Sequence, residues 1–307
     1  MSTCNCTTRR LCALSELVLV RIAGADRMQF LQGQLTNDVR RLEAGVLMTA
    51  GWCSPKGRLL ATPRLFVEGD TVGMIIDAAN AAMLVKRLRM YVLRSKVTVE
   101  IDETKRLLGV VGKAIPSTED SKDATLVFTL PSAKGDVLET LGLPAGRAIV
   151  VAAAESPLAA QAGDSAPFWT ASAAAGDPWV TGKAMDAFVP QAINLELTGG
   201  VSFTKGCYTG QEVVSRVEHI GRTSRRGALL VSAEVLDPAQ VPAPMTEFAD
   251  EAGNPAGVVV YAAAAGGRAA AFVQVSTDAA MAAAGTFTIE GRNWTMTQLP
   301  YGYERQH

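Results

Sequence analysis

The chain has 307 residues, 48% of them hydrophobic and 19% charged, with 29 Lys and Arg against 30 Asp and Glu. That length can bury a large core in two or three domains, and the composition argues against disorder. The near-zero net charge argues against broad electrostatic binding of nucleic acid, and no apolar run is long enough to span a bilayer.

A β-branched run over 17–22 predicts a strand. Gly24-Ala25-Asp26 then introduces a short helix over 27–32, ended by Gly33. Strands are predicted over 46–52 and 59–67, joined by a tight turn at Ser54-Pro55-Lys56-Gly57. Another strand follows over 72–76. Asn80 is the expected N-cap of a helix reaching Leu93, with Leu84, Leu88, Tyr91 and Val92 at helical spacing. Strands return over 97–101 and 107–111. The polar stretch 113–123 and the small-residue stretch 153–167 are candidate linkers, with strands between them over 126–129 and 147–152. Pro167 and Gly176 frame a helix carrying Phe168 and Trp169. After Arg226, short strands over 228–235, 256–262, 269–275 and 286–290 predict a small barrel or sandwich. The alanine runs at 262–265 and 279–284 are low complexity and receive no function. Frequent hairpin turns predict an α+β fold with antiparallel pairing, followed by an all-β part.

The most informative stretch is Lys205-Gly206-Cys207-Tyr208-Thr209-Gly210-Gln211-Glu212. Thr209 and Glu212 have capping-box spacing, and Val213, Val214 and Val217 supply an apolar face behind them. Cys207 is thereby expected beside a helix N-terminus, where the backbone N–H groups favour thiolate over thiol. Lys205 acts the same way if its ammonium points at the sulfur. The same pattern fits a small buried cysteine at the back of a glycine turn, but two glycines, a lysine and a helix start around one thiol favour function.

The segment 205–212 resembles the K-G-C-Y-x-G-Q-E signature of the folate-binding YgfZ family, which is related to the glycine-cleavage T-protein. Upstream, Phe188-Val189-Pro190-Gln191-Ala192-Ile193-Asn194-Leu195 leads through Gly199-Gly200-Val201-Ser202-Phe203 into the signature. Phe30-Leu31-Gln32-Gly33-Gln34-Leu35-Thr36-Asn37-Asp38-Val39 resembles the family's F-L-Q-G-Q-x-T-x-D-V, and Cys53-Ser54-Pro55-Lys56-Gly57-Arg58 its C-x-x-K-G-R/K turn. The resemblance runs from about Leu14 onward and weakens after Arg226. It implies two intertwined α+β subdomains around a central folate site plus a C-terminal β-barrel. The division is then a flexible tail at 1–13, a folate-binding region at 14–225 and a barrel at 226–307.

The resemblance also implies tetrahydrofolate as cofactor, and a role in maintaining or assembling iron–sulfur enzymes linked to tRNA modification. Cys207 would be the essential thiol with Lys205 beside it, and Lys56, Arg58, Tyr208 and Gln211 would be folate contacts. Trp169 can stack on a pterin in a chain with only 6% aromatics, or fill the core. Asp38 and Glu196 can accept from the aminopyrimidine edge of a pterin, or serve as surface carboxylates and local caps. The Lys56–Arg58 turn stands above the other basic clusters, Lys86 to Lys96 and Arg216 to Arg226, which are by default solvated faces. The acidic segment of the T-proteins is replaced here by Ser54-Pro55-Lys56-Gly57-Arg58, which speaks against aminomethyl transfer from a lipoyl arm. Whether the protein catalyses a reaction stays open. A one-carbon transferase using tetrahydrofolate and a non-catalytic folate-sensing module are the alternatives.

Other chemistries find little support. The two histidines, His219 and His307, exclude a His-rich metal site, and a Cys–His couple would rest on His219. There is no G-x-G-x-x-G after a strand and no P-loop. The five cysteines are odd in number, and no signal-peptide pattern is present at the start, so a cytoplasmic protein with reduced thiols is expected. Cys4 and Cys6 are taken as incidental thiols of the tail. Residues 1–110 hold 16 Lys and Arg against 10 Asp and Glu, which suits an anionic ligand such as folate.

Overall fold

A computed structural model describes residues 9–112, 126–219 and 223–303. The chain divides into two compact units, each assembled from separated stretches: Ser15–Arg106 with Trp179–Thr223, and Met1–Leu14 with Leu107–Pro178 and Ser224–His307.

The first unit is organised by an antiparallel five-stranded sheet. Its order is Met48–Thr49, Arg64–Glu68, Thr71–Asp77, Leu17–Ala23 and Thr98–Ile101. Period-two alternation sends Val20 and Ile22, with Val72, Met74 and Ile76 of the neighbouring strand, into one core. The helix Ala78–Met90 adds Ala81, Leu84, Val85 and Leu88 to that core at helical spacing.

Helix boundaries differ from the sequence expectation. The cap of this helix is Asp77, not Asn80: the Asp77 carboxylate accepts the Asn80 N–H at 3.2 Å. Asp77 is also the last residue of a strand, so its capping role is hidden by the strand pattern. The helix stops at Met90, and Leu93 takes a left-handed φ of 45°. Conversely, the helix Arg27–Gln34 runs through Gly33, and the Leu35 N–H closes on Leu31 O at 3.1 Å. Burial of Phe30, Leu31 and Leu35 outweighs the roughly 1 kcal/mol that glycine costs a helix.

The second unit contains a four-stranded sheet in the order Arg10–Ala13, Lys105–Val111, Arg147–Ala153 and Leu126–Leu130. The expected N-terminal tail therefore supplies a strand, with Leu11 opposite Val110 and Cys12 buried. The remainder of that tail, with Cys4 and Cys6, lies outside the described residues, as do the 113–123 linker and His307.

The C-terminal part of this unit is a closed six-stranded antiparallel barrel. The order is Arg225–Ser232, Arg268–Ser276, Pro255–Ala265, Glu247–Asp250, Thr286–Ile289 and Arg292–Thr297, and the last strand closes on the first. Alanines of the two longest strands are buried, and their small side chains let the helix Ala166–Ala174 pack on these strands. The low-complexity run at 262–265 thus has a packing role. Arg147 is buried and donates to Ser172 Oγ, Asp177 Oδ2 and Pro131 O, tying the helix to the segment after it. No helix among the described residues is long and apolar enough to cross a membrane.

Candidate functional site

The three motifs read from the sequence meet within the first unit. The helix Arg27–Gln34 ends with carbonyls that need donors. Lys205 supplies them: its Nζ donates to Gln32 O at 2.6 Å and Leu35 O at 2.5 Å, across 170 residues of chain. Thr36 then stitches the helix end to two further segments. Its hydroxyl donates to Gly200 O at 2.6 Å and accepts the Gly51 N–H at 2.7 Å. Asn37 Nδ2 donates to Thr49 O and Gly199 O. Gln32 binds Asp38 through Nε2 and accepts the Val39 N–H through Oε1. The partners of Thr36 and Asn37 lie 12 or more residues away in the chain, so spacing within the 30–39 motif does not reveal these bonds.

The second meeting point is a glycine interlock. In the 54–57 turn, the Gly57 N–H donates to Ser54 O at 2.8 Å, and Gly57 has a φ of 71°. Gly210 has a φ of 84° and rests directly on this turn: a Cβ there would lie 2.5 Å from Ser54 O and 3.0 Å from Gly57 Cα. A Cβ on Gly57 would in turn strike Val213 of the helix Gln211–His219. Both glycines are required by φ and by close approach. Cys53 sits beneath this contact. Burial, with Asp186 nearby, pushes its thiol up to about 12.

Cys207 is carried on the loop between these two anchors. Of the cysteines among the described residues, Cys12 and Cys53 are buried and Cys207 is exposed. The helix begins at Gln211, four residues beyond it. Thr209 does not cap that helix, and Glu212 pairs with Arg216 at 2.7 Å. Lys205 is buried with its ammonium on the two carbonyls and 5.0 Å from the centroid of the Tyr208 ring. Burial draws its pKa down to about 8, partly countered by Asp38. The lysine therefore anchors the start of the loop, its ammonium engaged by the two carbonyls. Sequence spacing carries no information on where a lysine side chain points.

The remaining candidate residues fall into different settings. Tyr208 is buried, and burial raises its phenol pKa. Gln211 opens the helix, its N–H donating to Tyr208 O. Lys56 is exposed on the turn, and Arg58 donates from Nη1 to Ala187 O at 2.5 Å. The Asp38 carboxylate is engaged: Oδ1 accepts from Gln32 and Arg40, Oδ2 from Arg40, and the guanidinium holds it below the usual carboxylate range. Glu196 is buried at the end of the segment that carries Gln191 and Asn194. His219 lies in the last turn of its helix, edge-on to Phe203 at 6.5 Å. Trp169 belongs to the second unit, where it is buried edge-on to Phe168 and Tyr261, each at 5.7 Å. Ser54 Oγ is buried without a hydrogen-bond partner.

Two units assembled from separated stretches, mixing helix and strand, and a closed C-terminal barrel give the chain the fold class of the aminomethyltransferases. The glycine cleavage system aminomethyltransferase T from Bartonella henselae matches 97% of this chain and 88% of its own, with a TM-score of 0.62 at 16% identity. No protein-family profile matches the chain. A tRNA-modifying protein YgfZ of Yersinia pestis (strain Pestoides F) is 34% identical over 230 residues, 70% of this chain and 68% of its own length. Another, from Hamiltonella defensa, is 36% identical over 220 residues, 68% of this chain and 66% of its own. The chain belongs to the YgfZ family.

Proposed function

We propose that this protein is a folate-linked thiol factor that maintains or assembles iron–sulfur enzymes in the cytoplasm, with Cys207 as the working group and tRNA modification among the processes it serves. The observation that carries this reading is the exposed Cys207 on a loop pinned at both ends, at Lys205 and at Gly210, by buried contacts to the two other motifs. Fixing a solvent-facing thiol with that much buried structure has no packing purpose, because an unreactive cysteine is ordinarily buried. The relatives named as tRNA-modifying proteins support the biological setting.

Tetrahydrofolate fits some of these residues and not others. Lys56 is an exposed cation that makes no ion pair among the described residues, and it suits a glutamate-tail carboxylate. Ser54, two residues before it, has a buried hydroxyl without a hydrogen-bond partner. Asp38 is already engaged by Gln32 at Oδ1 and by Arg40 at both oxygens, so the smaller share of folate affinity is assigned to it. When bound, tetrahydrofolate supplies nitrogens able to carry a one-carbon unit.

The test of folate contact is equilibrium binding of tetrahydrofolate to wild type, Lys56→Ala and Asp38→Asn. A loss of about tenfold is expected for Lys56→Ala and little change for Asp38→Asn. The reverse order would exclude this assignment.

A further inference from the structure

The surface of the first unit carries a second feature that the thiol loop does not use. Among the described residues, Met83, Met90 and Leu93 are large apolar side chains left exposed, Met90 at 65% and Leu93 at 87%. Met83 and Met90 stand seven residues apart on the helix Ala78–Met90, so they form one line on the side opposite its core residues. Lys86 and Arg87, also turned from the core, flank that line, and Arg94 and Lys96 continue the charge beyond the helix. Residues 78–99 contain these four cations and Arg89, with no Asp or Glu. None of the five makes an ion pair among the described residues. Arg89 is tied to Val99 O at 2.7 Å, Arg87 is half-buried, and Lys86, Arg94 and Lys96 are exposed.

Leu93 is the telling residue. It sits at the tip of the turn closed by the Ser95 N–H on Val92 O, in the left-handed conformation. Backbone energetics favour glycine or asparagine there. Its side chain contributes nothing to the core, unlike its neighbours Tyr91 and Val92, which pack against it. The fold gives no reason for a leucine at this position.

We infer that this face of the helix Ala78–Met90 and its following turn is a docking surface for an acidic, amphipathic helix of a partner protein. A line of two methionines, with an exposed leucine on the turn that follows, supplies adaptable apolar contacts, and the flanking cations match acidic residues on the rims of such a helix. A nucleic acid fits less well, because it wants an exposed aromatic platform, and the one aromatic here, Tyr91, is packed on the core. An anionic bilayer fits less well too, since there is no Trp or Phe to insert. The inference does not depend on Cys207 or on folate.

The test uses the full chain and a labelled helical peptide of about 15 residues built from Glu and Leu, with Leu on one face. Three comparisons accompany it: the same peptide with Leu replaced by Ser, a tRNA transcript, and phosphatidylglycerol vesicles. Saturable binding is expected, weakened about tenfold or more by Met90→Gln with Leu93→Asn, by Lys86→Glu with Arg87→Glu, and by the Ser peptide. Lys86, Met90 and Leu93 are exposed and Arg87 is half-buried, and an unchanged melting temperature verifies each fold. Three results would overturn the inference: no saturable binding of the Glu/Leu peptide, equal affinity for the Ser peptide, or variants that weaken the transcript or the vesicles and leave the peptide untouched.

Discussion

Cys207 and Cys53 lie on two of the motifs that meet in the first unit and differ in exposure. Cys53 is buried and its thiol is raised to about 12, so it stays protonated and shielded across the physiological range. Cys207 is exposed. In the folded protein, iodoacetamide should label Cys207 well before Cys53 and Cys12, read per cysteine by mass spectrometry. Labelling of Cys53 at the same rate would show that the glycine interlock opens freely.

Lys205 makes a prediction of its own. Its folded pKa, about 8, lies below the ordinary 10.5 of an exposed lysine. Between those values the unfolded chain holds a proton that the folded chain has released, so stability rises with pH through this window. From pH 7 to pH 9.5 the contribution amounts to about 2 kcal/mol. Denaturant unfolding of wild type and Lys205→Met at both pH values should show the difference moving in favour of wild type at the higher pH. A difference independent of pH would mean that the buried lysine keeps an ordinary pKa. The position of Lys205 in the signature was legible in the sequence. Its target was not, because the carbonyls it caps are fixed only when the 30–39 motif folds against it.

At the scale of elements, two glycines of one signature are predicted to behave in opposite ways. Gly210 has a positive φ and a Cβ there would meet backbone at 2.5 Å, so Gly210→Ala should destabilise by more than about 2 kcal/mol. Gly206 has no positive φ, and a Cβ there meets nothing within 4 Å. Gly206→Ala should change stability by no more than about 1 kcal/mol. Thermal melts of the two variants decide this, and equal losses would mean that the loop is packed more tightly than its geometry indicates. Any functional loss in a stable Gly206→Ala protein then reports the space required by whatever approaches Cys207.

The elements themselves were unevenly legible. Long β-branched strands and the core stripe of Ala78–Met90 follow from periodicity. The barrel strand Glu247–Asp250 buries only Phe248 fully and has no alternation to read. The strand Arg292–Thr297 begins in the Gly291-Arg292-Asn293 run and was hidden by that turn chemistry, although Trp294 and Met296 alternate inward. The helix Gly135–Leu141 is too short to show a pattern.

Across the whole molecule, turns and strand lengths announce an antiparallel α+β part followed by an all-β part; that the latter is a barrel is implied by the family resemblance, since the pattern alone fits a sandwich equally well. The assembly of each unit from separated stretches was not legible. Residues 107–178 fold with the barrel, and 179–223 return to the first unit, through contacts with no local signature. Of the candidate folate contacts, Trp169 belongs to a different unit from Asp38 and the Cys207 loop.

The central claim is that the Cys207 thiol is the working group. The direct test is complementation of a strain deleted for its own copy, measuring iron–sulfur enzyme activity at matched protein levels. Wild type should restore activity and Cys207→Ser should not, because a hydroxyl is a poorer nucleophile and a poor soft-metal ligand. Full restoration by Cys207→Ser would contradict the account and reduce the signature to a structural clasp between the Lys205 and Gly210 anchors.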